Sequence, residues 1–168
     1  GKQVVETLSQ GLSEHYATNW TPFLDRSWKD QVDTSVNSET LSKLAAQLET
    51  LPDGFSLQRN VNMIMKNRAK MSAGESSLDW GYAETMAYAS LLQQGVSVRL
   101  SGEDCERGTF FHRHSMLHDQ KTGERLMPLK HVCSDKARID IYNSLLSETG
   151  ALGFEYGYTL ADPNSLVI

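Results

Sequence analysis

Cysteine is scarce in this chain of 168 residues, which contains only Cys105 and Cys133, and the two do not form a C-x-x-C pair. This usage favours a reduced compartment over a framework of disulfides. Long apolar runs are missing too, since none approaches the roughly 18 residues that a membrane-spanning helix needs. The sequence therefore predicts a domain with no membrane span, whose 39% of hydrophobic residues can build a core without disulfides.

Clusters of positive charge are also lacking. The chain has 16 lysines and arginines against 21 aspartates and glutamates, a formal net charge of −5, and its basic residues form no run. Proteins that bind nucleic acids or anionic membranes through charge need a concentrated basic surface. We therefore expect neither of these partners.

The chain lacks an initiator methionine, beginning GKQVVE and ending SLVI in an apolar stretch. We interpret it as a fragment that is cut within an element of structure. The small-residue segment SAGESS, residues 72–77, is typical of a linker. It predicts a division into a helical linker subdomain, residues 1–77, and a second domain, residues 78–168.

Helical periodicity dominates the first subdomain. The spacing of its apolar residues predicts three helices, over residues 3–16, 37–51 and 55–71. Asn37 is the expected N-cap of the second. Residues 18–37 break the periodicity, and we interpret them as an irregular strap held by the rings of Trp20, Phe23 and Trp28.

The second domain alternates between helix and strand. Asp79 is the expected N-cap of a helix that ends at Gly95. The face of this helix that should pack on a sheet is formed by Trp80, Ala83, Ala87, Ser90 and Leu91. The patterns that follow predict a strand at 96–101, an edge strand at 125–129, a strand from residue 139, a helix over 147–161 and a strand at 165–168. This order is that of an α/β fold with a parallel sheet.

Reactive side chains are concentrated between Val98 and His118. Because loops at the carboxyl ends of parallel strands line ligand crevices, this loop supplies the site candidates Glu103, Asp104, Arg107, His112 and His114. Glu148, in the first turn of the later helix, could point into the same crevice. The helix dipole alone would also favour an acid at that position.

The histidines allow a second interpretation. His112, His114 and His118 could share a metal ion, with Cys105 or Asp104 completing a tetrahedral site. There is no cysteine pair or H-E-x-x-H motif to support zinc, and hydrogen-bonded loop histidines explain the spacing without a metal. A Cys-His hydrolase is less favoured, because nearby acids would raise the pKa of the Cys105 thiol. A small metal-binding or interaction domain is thus one alternative.

Three segments carry a resemblance to a known family: LDWGYAETMAYASLLQQG, VRLSGEDCERGTFFHRHSMLHDQKTGE and NSLLSETGALGFEYGYTLADPNSLVI. In order, they resemble the thiamine-dependent, decarboxylating first component of the 2-oxoglutarate dehydrogenase complex. The resemblance runs from about Asn19 to Ile168 and is weaker before Ser77. It implies that residues 78–168 are the truncated start of a transketolase-like, parallel-sheet domain that binds the pyrimidine ring of thiamine diphosphate.

For function, the resemblance implies oxidative decarboxylation of 2-oxoglutarate in the tricarboxylic acid cycle, with succinyl transfer to the lipoyl group of a partner transacylase. The enzymes are homodimers of the bacterial cytoplasm or the mitochondrial matrix. They hold thiamine diphosphate and magnesium between two domains, so one domain alone is expected to be inactive. The alternative within the family prefers 2-oxoadipate, but its motif tends to read Ser-Gln-Arg-His where this chain has Phe111-His112-Arg113-His114.

The resemblance also implies roles for individual residues. Glu148 matches the glutamate that hydrogen-bonds the aminopyrimidine ring and so helps that ring to take up the thiazolium proton. Leu146 matches an apolar contact near the ring. Glu103, His112 and His114 match positions that line the active site. No metal ligand is implied in this chain, which lacks the family's Gly-Asp-Gly motif for magnesium and diphosphate.

Overall fold

A computed structural model of the chain describes residues 18–27 and 29–168. The helix predicted over residues 3–16 and the strap residue Trp28 lie outside these ranges. The helices and strands within them are α1 (Ser38–Leu48), α2 (Arg59–Ser72), α3 (Trp80–Gln93), β1 (Val98–Gly102), β2 (Leu117–His118), β3 (Arg125–Leu126), β4 (Ile139–Asn143), α4 (Glu148–Ala161) and β5 (Leu166–Val167). In the described part of the chain, no helix is both long and apolar enough to cross a membrane.

Side-chain caps fix where three of the helices begin. Asn37, Asp79 and Ser147 each accept a hydrogen bond from an amide in the first turn of the helix that follows, at 2.8, 2.7 and 3.2 Å. Each cap satisfies an amide that a helix leaves without an internal partner. The predicted N-caps of α1, α3 and α4 are confirmed.

Helix α2 begins later than the sequence pattern predicted. The apolar spacing indicated a helix from residue 55, whereas α2 begins at Arg59. Gln58 Oε1 accepts hydrogen bonds from the amides of Asn60 and Val61, at 2.6 and 3.2 Å. Glutamine is not a typical N-cap residue, so the sequence did not show this boundary.

Strand β1 is the centre of a three-stranded parallel sheet with the order β4–β1–β5. Val98 pairs with Ile139 on one side and with Leu166 on the other. Strands β2 and β3 form a separate antiparallel pair. The predicted combination of helices followed by a parallel α/β sheet is confirmed.

The edge strand predicted at residues 125–129 is shorter than expected. Strand β3 ends at Leu126, and Pro128 opens a 3-10 helix that continues to Val132. Proline suits the start of a helix, because its fixed φ is helical and its missing N–H has no partner to lose there. Leu129, at the end of the predicted strand, is instead buried in the core.

The two faces of the sheet pack against different helices. Val98 and Leu100 point to one face and join a buried cluster with residues of α1, α3 and the 3-10 helix. Arg99 points to the opposite face and contacts α4, since alternate residues of a strand face opposite sides. Helix α4 therefore approaches the sheet from the side opposite α1 and α3.

The buried face of α3 differs from the predicted one. Trp80 is 91% exposed, and of the predicted face only Ser90 is fully buried. The residues that the helix buries instead include Tyr82, Thr85, Met86, Ala89 and Leu92. Apolar residues lie on most sides of α3, so their periodicity does not specify one face.

The strap contains a short 3-10 helix, Thr21–Phe23. The rings of Trp20 and Phe23 contact each other edge to face, with their centroids 6.0 Å apart. Thr18 Oγ1 donates a hydrogen bond to the carbonyl oxygen of Ala161 at 2.9 Å. The strap therefore contacts the end of α4.

Candidate functional site

Two parallel strands end side by side at one edge of the sheet. Gly102, the last residue of β1, is in register with Asn143, the last residue of β4. The loops that leave these strands line a cleft of about 440 Å³, formed by Glu103, Asp104 and residues 143–148. This is the edge at which open α/β sheets bind their ligands.

Glu148 presents an exposed carboxylate at this cleft. It is the first residue of α4, where the helix dipole favours negative charge. Leu145, three residues before it, is fully exposed, and Leu146 is 53% exposed. A carboxylate beside uncovered apolar side chains can recognise a heteroaromatic ring through a hydrogen bond at its edge and apolar contact on its face.

A largely buried ion pair holds α4 against the sheet. Arg99 Nε and Nη2 donate to the two carboxylate oxygens of Glu155 at 2.7 and 2.9 Å. The hydrogen bonding to Glu155 raises the pKa of Arg99, which therefore stays charged. Three aromatic rings lie around the guanidinium, with centroids 4.6 to 5.6 Å away: Tyr142, Phe154 and Tyr158. Because Glu155 lies about two turns after Glu148, this anchor sets the direction in which α4 presents Glu148.

A tight turn carries the polar loop away from β1. Asp104 has a φ of 53°, and its carbonyl oxygen accepts a hydrogen bond from the amide of Gly108 at 2.6 Å. Asp104 Oδ2 accepts another from Arg107 Nη2 at 2.7 Å. Aspartate tolerates this left-handed conformation better than most residues. The turn places Asp104 at the border between the first cleft and a second one.

The second cleft has a volume of about 330 Å³ and shares Asp104 and Asn143 with the first. Arg107, His114 and His118 contribute to its lining. His114 is 9% exposed. Burial, reinforced by the charge of Arg68, lowers the pKa of His114. Its imidazole is therefore neutral at pH 7 and can both donate and accept hydrogen bonds.

His112 lines neither cleft. Its ring lies so close to Gly108 that a Cβ there would come within 2.4 Å of it, and its carbonyl oxygen lies 2.3 Å from the Cβ position of Gly81. Its Nδ1 is buried and finds no hydrogen-bond partner among the residues that the structure describes. The path of the backbone at His112 therefore depends on two glycines from different parts of the chain.

We expect Gly81→Ala to destabilise the chain, although alanine is the better helix former. Its methyl group would overlap the carbonyl oxygen of His112, and such overpacking typically costs about 1–3 kcal/mol. Gly153→Ala is the matched control, because Gly153 also lies within a helix and, apart from that helix's own backbone, no described atom lies within 4 Å of its Cβ position. That variant should gain up to about 1 kcal/mol. Chemical denaturation measures both changes, and equal changes would contradict the close approach of His112 to α3.

The interpretation of the histidines as a metal site finds no support in the geometry. Among the residues that the structure describes, no three His, Cys, Asp or Glu side chains come together as a possible metal site. The Cys-His hydrolase is also not supported. Burial raises the pKa of the Cys105 thiol, and Glu84 and Asp104 add to the shift while Arg113 opposes it. The expected direction was right, but burial is its main cause.

A family model described as the transketolase pyrimidine-binding domain matches residues 76–168. This segment contains the sheet and the first cleft at its edge. The chain belongs to this family. It is also 55% identical to the 2-oxoglutarate dehydrogenase E1 component of Coxiella burnetii and 42% identical to that of Azotobacter vinelandii, over all of this chain and 18% of each relative. A third relative, the mitochondrial 2-oxoglutarate dehydrogenase of Schizosaccharomyces pombe, is 47% identical over 80% of this chain and 13% of its own length. The chain thus spans less than a fifth of these curated relatives.

Within the pyrimidine-binding domain, the residues predicted for the site lie in three places. Glu103, Leu146 and Glu148 come together in the first cleft. His114 lies in the second cleft, and His112 is packed behind the loop. The residues expected around a single crevice are therefore divided between two adjoining clefts and a partly buried position.

Sequence reasoning missed several residues of this region. Leu145 was overlooked, although a second leucine beside Leu146 in a polar loop was a visible signal. Arg68 was also missed, although an arginine on the apolar side of α2 is itself unusual. The pairing of Arg99 with Glu155 left no local signal, because the two residues are 56 positions apart.

Proposed function

We propose that this pyrimidine-binding domain is part of the first component of a 2-oxoglutarate dehydrogenase complex. The whole enzyme would oxidatively decarboxylate 2-oxoglutarate in the tricarboxylic acid cycle and pass the succinyl group to the lipoyl group of a partner transacylase. The observation that carries the proposal is the cleft at the ends of β1 and β4, where Glu148 stands beside Leu146 in a chain that resembles E1 components over its whole length. The enzyme would reside in the bacterial cytoplasm or the mitochondrial matrix.

The side chains of the first cleft fit the aminopyrimidine ring of thiamine diphosphate. When bound, this cofactor supplies an acidic thiazolium carbon and an electron sink for decarboxylation. The exposed carboxylate of Glu148 would hold a proton at a ring nitrogen of the pyrimidine. Leu145 and Leu146 would cover the apolar face of the ring. Glu103, which lines the same cleft, would complete its polar border.

Magnesium and the diphosphate group would be held mainly by other parts of the enzyme. Magnesium is bound through carboxylates together with phosphate oxygens, and the described part of this chain brings no three candidate ligands together. We propose that residues 78–168 contribute the pyrimidine end of the cofactor site and that residues 1–77 form a helical linker in front of it.

We further propose that the enzyme is a homodimer in which α4 faces the second subunit. Leu152, Tyr156 and Leu160 are exposed, and their spacing of four residues puts them on one face of α4. An exposed apolar row of this kind is typical of an interaction surface. Because Glu148 begins the same helix, such a contact would place the cofactor site close to the subunit boundary.

Steady-state assays of the intact enzyme with its lipoyl-bearing partner test the proposed function. We expect 2-oxoglutarate to be preferred over 2-oxoadipate by at least about 10-fold in kcat/KM, since one methylene group is worth about 1–3 kcal/mol in a specific pocket. A reversed preference would identify the 2-oxoadipate relative instead. Absence of turnover with either acid, together with stoichiometric zinc in chelator-free protein, would favour the metal-binding alternative.

A further inference from the structure

Arg68 is a buried cation, and no acidic side chain of the described residues lies within ion-pairing distance of it. It lies near the end of α2 and is 5% exposed. Within the described residues it forms no ion pair, and burial lowers its pKa. Burying a charge costs free energy unless strong hydrogen bonds offset it. An apolar residue would fill this side of α2 at lower cost, so the hydrogen bonds of Arg68 need an explanation.

These hydrogen bonds go to the backbone of the H-R-H segment. Arg68 Nη2 donates to the carbonyl oxygens of His112 and Arg113, at 3.0 and 2.7 Å. The ring of Tyr82 lies beside the guanidinium, with its centroid 5.6 Å away. Arg68 is thus held between α3 and the loop, and it joins a helix that precedes the family match at residues 76–168 to that domain.

The peptide group between Arg113 and His114 is held at both of its ends. Arg68 donates to its carbonyl oxygen, and its N–H donates to the carbonyl oxygen of Arg107 at 3.0 Å. His114 itself has a φ of 45°, in the left-handed region. A non-glycine residue in such a conformation is strained, and it persists there only when its surroundings hold it in place.

The side chain of Arg113 fixes the same segment to α3 through a separate set of hydrogen bonds. Its Nε and Nη2 donate to Glu84 at 3.0 and 2.8 Å, and its Nη1 donates to the carbonyl oxygen of Cys105 at 3.0 Å. Glu84 also accepts a hydrogen bond from Tyr88 at 2.8 Å. The side chain of Arg113 is therefore held against α3. These contacts do not involve the carbonyl group of Arg113, which is held by Arg68 and precedes the turn into His114.

We propose that Arg68 is a positioning residue that fixes the orientation of His114 in the 330 Å³ cleft. It acts through the peptide group between residues 113 and 114. Helix α2 is then part of the functional site, although it lies outside the segment that matches the pyrimidine-binding family. Gln58 and Val61 of the same region line this cleft as well.

The titration of His114 reports its position. Burial lowers its pKa most, the positive charges of Arg68 and Arg107 lower it further, and a hydrogen bond with the backbone of Phe111 opposes them. Arg68→Lys keeps the positive charge but lacks the planar fork that contacts two carbonyl groups at once. A rise in the pKa of His114 in this variant would therefore report lost burial rather than lost charge.

We expect the pKa of His114 in Arg68→Lys to rise towards the ordinary value of about 6.5, as measured by NMR on the histidine-labelled chain. Arg59→Lys is the matched control, because it makes the same exchange at an exposed position of α2 and should leave His114 unchanged. An unchanged pKa of His114 in a folded Arg68→Lys chain would overturn the proposal.

Hydrogen exchange keeps the proposal testable if Arg68→Lys does not fold. In the unmodified chain, we expect the amide of His114 to exchange as slowly as amides in the middle of α3. Exchange at the rate of the exposed loop residues would overturn the proposal. A further readout rests on the proposed function: in the intact enzyme, Arg68→Lys should lower kcat/KM by at least about 10-fold, because displacing a site residue by 1 Å can cost more than that. The NMR result stands whether or not the enzyme uses 2-oxoglutarate.

Discussion

Replacing Glu148 by glutamine should slow exchange of the thiazolium proton of bound thiamine diphosphate by at least about 100-fold, the usual contribution of a general acid-base group. Glutamine keeps the size of the side chain and its capacity for hydrogen bonds. It cannot exchange a proton with a ring nitrogen, so the effect should appear in the chemistry and not in the fold. Deuterium exchange into the cofactor of the intact enzyme, together with a thermal melt, measures both.

A second first-turn acid provides the control for Glu148. Glu39 occupies the same kind of position in α1, where it is exposed and pairs with Lys43 at 2.7 Å. Glu39→Gln removes the same dipole interaction, worth about 0.3–1 kcal/mol, and should leave proton exchange unchanged. Near-normal proton exchange in Glu148→Gln with an unchanged melting temperature would show that Glu148 is only a helix-terminal acid. A large fall in the melting temperature would show that its role is structural.

Glu155→Gln should lower the free energy of unfolding by about 3 kcal/mol or more, the cost of leaving one partner of a buried ion pair alone. Arg99 and Glu155 are only 15% and 7% exposed. In the variant, the guanidinium contacts its aromatic neighbours and the neutral side-chain amide of the new glutamine, but no carboxylate. The exposed pair formed by Lys43 and Glu39 gives the comparison, since Glu39→Gln should cost no more than about 1 kcal/mol.

A double variant distinguishes the cost of an unpaired buried charge from the cost of lost packing. Combining Glu155→Gln with Arg99→Met removes both charges, and should be less destabilising than Glu155→Gln alone, because no unpaired charge stays buried. Urea denaturation of the three variants supplies the free energies. If Glu155→Gln costs no more than Glu39→Gln, the ion pair does not anchor α4.

The parts of the fold that depend on local chemistry could be predicted from the sequence. Asn37, Asp79 and Ser147 stand just before periodic segments, and each caps its helix as expected. The parallel sheet followed from the order of the elements. The buried face of α3 could not be predicted, because apolar residues surround that helix and its neighbours decide which side is covered.

The candidate site divides in a similar way. The placement of Glu148 and Glu103 in one cleft could be predicted because they follow strands whose ends lie at the same sheet edge. The position of His112 could not, since it depends on space left by Gly81 and Gly108. The contact of Arg68 with two carbonyl groups leaves no trace in residue types, because every residue carries a backbone carbonyl.

The position of β1 at the centre of the sheet has a consequence for synthesis of the chain. Both of its neighbours come later in the sequence, Ile139 on one side and Leu166 on the other. A ribosome adds roughly 5–20 residues per second, so several seconds pass between the emergence of β1 and that of β5. Helices form within about a microsecond. The nascent chain therefore has time to form α1, α2 and α3 while both edges of β1 have no partner strand, and in that interval it should be most exposed to aggregation and to capture by chaperones.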